Sequence, residues 1–226
     1  MEKWCMALGI SVLVLLFSAG VYASENLSDW KDYIWQGNVT VSHSGTVYTV
    51  NANGNSGKES MGKTYKNFPN AVGFYASVNV SQCSGENGVG IRRNIGKAAD
   101  GNNVMAELYV NQFEGNRRIQ YKIRKRDKDG NTLKVYARGY LGDFFGIWEP
   151  GQNVLIAFAR VGDEVWFYTP QNNVGLVKIL LMEPVQSVET LEDKDKNMEI
   201  WAWTQSGSVN SLSATVSDVE ILYPWW

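Results

Sequence analysis

The residues whose types and spacing can do chemistry fall into separate groups. One is the stretch Gly139–Gly151, where Tyr140, Asp143, Phe144, Phe145 and Trp148 lie among glycines. Sugars present C–H faces that stack on aromatic rings, and a carboxylate such as Asp143 can bond their hydroxyls. The competing reading for Phe145 and Trp148 is that they fold back and plug the end of the domain. Another group occupies the outward positions of successive alternating runs: Glu107, Tyr109, Lys122, Arg124, Tyr136 and Arg138. On a concave surface these cations would hold a carboxylated or sulfated glycan through charge-assisted bonds. On a convex one they would be a solvated face that keeps the chain soluble. Trp166 and Tyr168 form the last group. They stand opposite the small Ala157 and Ala159, which makes either a platform for a flat ligand or ordinary packing under a loop.

Catalytic and metal chemistry has less to work with. A retaining glycosidase needs paired carboxylates on one face, and Glu107 is alone on its strand. An atypical hydrolase or lyase site centred on Glu107 is the remaining enzyme reading. The chain has a single histidine, His43, so a His-pair metal site is excluded. Asp127, Asp129 and Asn131 around Gly130 read as a hairpin turn. Asp193, Asp195, Asn197 and Glu199 alternate like calcium ligands but lack the glycine and terminal glutamate of an EF-hand loop. No cofactor or metal ligand set is assigned.

Strands must position these groups, because no amphipathic helix of more than about two turns is visible after Ser24. Asn153–Val161 and Glu164–Thr169 flank Gly162-Asp163, a two-residue hairpin signal in which glycine supplies the positive φ. That turn pairs Arg160 with Val165, Ala159 with Trp166, Phe158 with Phe167 and Ala157 with Tyr168. It puts Val154, Ile156, Phe158, Val165 and Phe167 on one apolar face. Ala71–Gln82 alternates with Phe74, Ala76, Val78 and Val80 inward, and Val104–Val110 with Val104, Ala106, Leu108 and Val110 inward. Arg118–Arg126 and Thr132–Arg138 form a further hairpin with Ile119, Tyr121, Ile123, Leu133, Val135 and Ala137 on its core face. The polar, Gly- and Asn-rich stretch 51–70 is expected to be a mobile surface loop. Leu176–Met182, Met198–Thr204 and Ala214–Tyr223 complete an all-β, two-sheet antiparallel sandwich or jelly roll.

Met1–Ala23 reads as a secretory signal: Lys3, the apolar run Met6–Phe17, and a small-x-small site before Ser24. The apolar run is short of the roughly 20 residues a membrane span needs, and no second span follows. The expectation is a secreted or periplasmic chain with residues 24–226 as a single domain. Cleavage leaves Cys83 as the sole cysteine, so no internal disulfide forms. The net charge of −2 gives no global reason to expect nucleic acid, and no nucleic-acid motif accompanies the basic stretch Arg117–Arg138.

The C-terminal half carries a familiar order of pieces. Trp148-Glu149-Pro150-Gly151 enters a strand, the Arg160-Val161-Gly162-Asp163 turn leads to Trp166-Phe167-Tyr168, and Ala214-Thr215-Val216-Ser217-Asp218-Val219 closes the chain. This resembles the concanavalin A-like lectin/glucanase superfamily, including its laminin-G-like bacterial members, over roughly residues 139–223. The resemblance implies a two-sheet jelly roll whose concave sheet or rim loops meet carbohydrate. Some members hold a structural calcium partly by backbone carbonyls, which no sequence reveals. Lyase motifs of related jelly rolls are missing, since His43 has no Gln-x-His context. The reading is therefore a non-catalytic, lectin-like domain binding a polysaccharide or glycan, with an anionic one in view. The alternative from another class is a structural or protein-interaction module of an envelope assembly, for which Pro224-Trp225-Trp226 is the suggestive patch.

Overall fold

The structure, a computed structural model, describes residues 24–54, 59–141, 148–170, 175–207 and 210–223. The expected signal, Asp143, Phe144, Phe145 and the terminal Pro224-Trp225-Trp226 lie outside the described residues. In chain order the strands are β1 (Lys31–Gln36), β2 (Asn38–Ser44), β3 (Val47–Asn53), β4 (Ser60–Asn67), β5 (Gly73–Ser84), β6 (Asn87–Lys97) and β7 (Asn103–Phe113). They continue as β8 (Asn116–Arg126), β9 (Thr132–Leu141), β10 (Asn153–Val161), β11 (Glu164–Thr169), β12 (Gly175–Leu180), β13 (Asn197–Thr204) and β14 (Ser211–Leu222). They form two antiparallel sheets of seven strands each. The first runs β1-β4-β13-β6-β7-β8-β9 and the second β12-β11-β10-β5-β14-β3-β2. No helix among the described residues is long and apolar enough to cross a membrane.

Strand alternation supplies the core. Val89 and Ile91 of β6, Val104, Ala106, Leu108 and Val110 of β7 and Ile119 and Ile123 of β8 point inward from the first sheet. Phe74, Val78, Ile156, Phe158, Val165 and Phe167 point inward from the second. The β10–β11 hairpin has the expected register throughout, with Gly162 at φ 61, the positive φ that the first central residue of a type II′ turn adopts. Phe167 then stacks on Tyr121 of the opposite sheet with ring centroids 5.0 Å apart. Arg160, ahead of the turn, donates to the carbonyls of Val185 at 2.6 Å and Gln186 at 2.7 Å, and to Ile95. That clamp holds the 181–187 connection onto the end of β6.

Several expectations need correction. The described residues of the stretch 51–70 are largely strand and not loop: β3 runs to Asn53 and Ser60–Asn67 is a strand between β1 and β13. Its inward side chains are Ser60, Gly62 and Thr64, small because β2 passes close by; a Cβ on Gly62 would stand 2.8 Å from Val39 Cγ1. No apolar alternation announces such a strand. Register shifts in the β8–β9 pair at Ile123/Arg124 and Lys125/Arg126 reverse the phase of β9. Leu133 and Val135 are therefore exposed rather than core. Tyr136, expected on the outward face, turns against the core and donates to Glu183 Oε2 at 3.1 Å. Burial and that carboxylate push its phenol up to about 12. β9 also extends to Leu141, so Tyr140 sits on a strand and not in a loop.

Of the two readings of Trp148, the structure selects the plug and sets aside the ligand platform. Trp148 is 1% exposed, belongs to the core, and its Nε1 donates to the Arg118 carbonyl at 3.2 Å. It plugs the sandwich and offers no face to a ligand. Trp148→Ala is expected to cost about 3–5 kcal/mol of stability, the usual range for a buried Trp or Phe. Denaturant unfolding that shows a loss under about 1 kcal/mol would contradict this placement.

Candidate functional site

The outer face of the first sheet collects the chemistry. Successive pairings carry one row across all seven strands: Tyr33, Lys63, Trp201, Gly90, Tyr109, Gln120 and Tyr140. The neighbouring row is Lys31, Tyr65, Glu199, Arg92, Glu107, Lys122 and Arg138. Residues directly opposite in a ladder share a face, so each row is a line of side chains on one surface. Gly90 makes room in the first row. A Cβ there would lie 2.4 Å from Tyr109 Cβ. Across the gap Tyr109 and Trp201 meet edge to face at 5.8 Å. Gly88, one pleat on, does the same for Trp203, whose Nε1 would be 2.8 Å from an added Cβ.

These outward side chains are nevertheless buried, Glu107 to 2% exposure, with Arg92, Tyr109, Gln120 and Glu199 also buried. They cover one another through ion pairs. Arg92 Nε donates to Glu199 Oε2 at 2.6 Å and its Nη1 lies 3.9 Å from Glu107 Oε1. Arg124 Nη2 donates to Glu107 Oε1 at 2.5 Å, and Lys63 pairs with Glu199. The Arg92 guanidinium also lies 4.6 Å from the Trp201 ring centroid. Burial alone would raise the Glu199 carboxyl, but Arg92 and Lys63 together hold it below its ordinary value. Burial, with the Glu107 charge, raises the Tyr109 phenol and keeps it neutral.

The face is concave. β1 and β8 are five strand steps apart, about 24 Å on a flat sheet at ~4.8 Å per step. Yet Tyr33 and Trp35 of β1 and Arg124 and Arg126 of β8 line one cleft of about 210 Å³ with Trp201. The sheet must curl to bring them together. A cavity of about 390 Å³, which shares Trp35, Lys63 and Arg126, continues it toward the Asp127–Asn131 turn. Trp35 is the extra residue of a β-bulge, since Ile34 pairs with Gly62 and Gln36 with Met61. A bulge re-aims the side chain it carries, and Trp35 remains 54% exposed.

Of the expected site residues, Glu107, Tyr109, Lys122, Arg124, Arg138 and Tyr140 share this face. Tyr140 accepts from Arg118 Nη1 at 2.9 Å. Tyr136 and Trp148 do not belong to it, and Asp143 and Phe144 fall outside the described residues. Trp166 and Tyr168 lie on the outer face of the other sheet. There Trp166 is buried, donates to Glu164 Oε2 at 2.7 Å and carries Lys178 Nζ 3.9 Å over its ring. Sequence reasoning missed Trp35, Lys63, Arg92, Glu199 and Trp201. A signal for the last pair was present: Glu199, Trp201 and Trp203 recur at strand period. Arg92 follows Gly88 and Gly90 at the same period. The Asp127 carboxylate caps the backbone of Asp129 at 3.0 Å and Asn131 at 2.8 Å, as a hairpin turn does. No group of three or more His, Cys, Asp or Glu suited to a metal occurs among the described residues.

Because Glu199 is held below its ordinary value of 4.5, its ion pairs stabilise the protein above that pH and are lost as pH falls through the folded-state value. Glu199→Gln leaves Arg92 and Lys63 facing a neutral group and is expected to cost about 3 kcal/mol at pH 7. The gap from wild type should narrow as pH is lowered below 4.5 in urea unfolding; a gap independent of pH would refute the assignment.

No family model and no curated protein sequence matches the chain. Solved structures do. A functionally unknown protein from Saccharomyces cerevisiae superposes with a TM-score of 0.57 at 10% identity, covering 89% of this chain and 100% of that one. A structure from work on endo-acting O-glycanases of the human gut microbiota gives 0.57 at 11% identity, covering 91% and 96%. A β-1,3-1,4-glucanase (lichenase) from a mouse hindgut metagenome gives 0.56 at 9%, covering 90% and 96%. At such identities the likeness speaks to architecture alone. With two antiparallel sheets of seven strands, the chain has the concanavalin A-like jelly-roll fold.

Proposed function

We propose that the chain is an exported, non-catalytic glycan-binding domain whose ligand lies in the concave face of the first sheet. The observation that carries this is the cleft itself. Tyr33, Trp35 and Trp201 supply aromatic surface around the charged groups of Lys63, Arg92, Arg124 and Arg126. Aromatic faces for C–H stacking beside fixed polar groups is the chemistry sugars need. The O-glycanase and lichenase likeness supports a glycan over other ligands of similar size.

Catalysis has weaker support. Glycoside hydrolysis uses one carboxyl group kept protonated and a second free to act as base or nucleophile. Here Glu199 is held ionised by Arg92 and Lys63, and Glu107 is engaged by Arg124 and Arg92. Both carboxylates serve to satisfy buried cations.

Trp35→Ala is expected to weaken polysaccharide binding at least tenfold, about 1.4 kcal/mol, with the thermal midpoint unchanged because the ring is exposed on an edge strand. Affinity electrophoresis against a polysaccharide panel reads this directly. Binding to none of the panel would end the proposal. Glycan turnover that disappears in Glu107→Gln or Glu199→Gln would replace it with an enzyme. Export is tested separately: the mature chain recovered from culture should begin at Ser24.

A further inference from the structure

The charged row on the concave face has a defect at one end. From Glu199 through Arg92 and Glu107 to Lys122 the signs alternate, so each carboxylate lies between cations. The next step does not alternate. Lys122 of β8 stands directly opposite Arg138 of β9. Like charges directly opposite in an antiparallel pair are destabilising. The adjacent carboxylate relieves them only in part, because Glu107, opposite Lys122, is shared with Arg124 at 2.5 Å and Arg92 at 3.9 Å. Among the described residues no carboxylate forms an ion pair with Lys122 or Arg138. Arg138 faces the Gln120 amide instead, whose oxygen accepts from Nη2 at 3.1 Å when the amide is turned toward it. Burial, then Arg124, Arg138 and Arg126, lower the Lys122 ammonium from its ordinary value, and the opposing pull of Glu107 does not cancel them. In a chain of net charge −2, this local excess of positive charge is not a reflection of composition.

We propose that the Lys122–Arg138 corner, with Arg124 beside it, receives an anionic substituent of the bound glycan, a uronic carboxylate or a sulfate ester. The inference rests on the reading of the concave face as a glycan site and names the class of glycan. Arg124 lines the aromatic cleft, and Lys122 is two residues back on the same face, about 7 Å along the strand. A sugar stacked at Trp35 and Trp201 thus leaves a neighbouring unit of the same polymer to place its anion at the corner. Arg138 presents a planar fork matched to two oxygens, and Lys122 a point charge. The anion completes the alternation that the protein leaves open.

Isothermal titration of the mature chain against polygalacturonate, dextran sulfate, lichenan and dextran tests this. One of the anionic polymers should bind at least tenfold tighter than the neutral ones, polygalacturonate identifying a carboxylate site and dextran sulfate a sulfate site. Lys122→Gln and Arg138→Gln should each remove at least tenfold of that affinity. Relief of the like-charge contact should leave the thermal midpoint of ligand-free Lys122→Gln unchanged or raised. Lys178→Gln, on the opposite sheet, should bind as wild type. Equal binding of neutral polymers, undiminished affinity in the Lys122 and Arg138 variants, or an equal loss in Lys178→Gln would each overturn the anionic subsite. Neutral binding lost in Trp35→Ala, with no anionic preference, would defeat this inference and leave glycan binding standing. Absence of binding to any polymer would defeat both.

Discussion

Arg92 stands between Glu199 and Glu107 on the floor of a curled sheet, and the remainder of the concave face is arranged around that contact. Curling brings the outward side chains together until they exclude water from one another. A buried charge is tolerated only when paired, so the floor must be a chain of opposite signs. Lys63 and Arg124 close it on either side. The glycines of β6 keep that chain low, and the rings of Trp201 and Tyr109 close over Gly90. The polar surface is thereby as fixed in position as the apolar core beneath it. A rigid floor of this kind suits recognition, since little ordering remains to be done when a ligand arrives.

The apolar half of the molecule was legible because its signals are local. The β10–β11 hairpin has a two-residue turn and one bulky face, and both register and burial follow from those alone. The inward positions of β5 and β7 follow from period-two alternation. Where the reading failed, nonlocal geometry had overridden the pattern. β4 has small inward residues because of β2 crossing beneath it, and Leu133, Val135 and Tyr136 changed faces because of bulges in β9. Trp148 has the loop composition of a sugar platform but fills the sandwich end.

The site was legible only in part for the same reason. Glu107, Tyr109, Lys122, Arg124 and Arg138 could be placed together because β7, β8 and β9 are consecutive hairpins. Their companions Glu199 and Trp201 come from β13, which the chain inserts between β4 and β6. No spacing in the sequence ties residue 92 to residue 199. Curvature is a property of the whole sheet, and it turned an outward face into an inward-looking one.

The aromatic wall and the charged floor belong to strands of very different standing. Trp35 sits on a bulge in β1, an edge strand bonded on one side only and exposed along most of its length. The floor residues lie on central strands, and each is bound into its neighbours. Exchange of the ring at position 35, or a change in the length of that bulge, alters the shape of the cleft without touching the core or the ion chain. Descendants of this chain can therefore reshape the cleft through β1 while keeping the fold and its charge pattern, an evolutionary freedom that the architecture confines to one margin of the sheet.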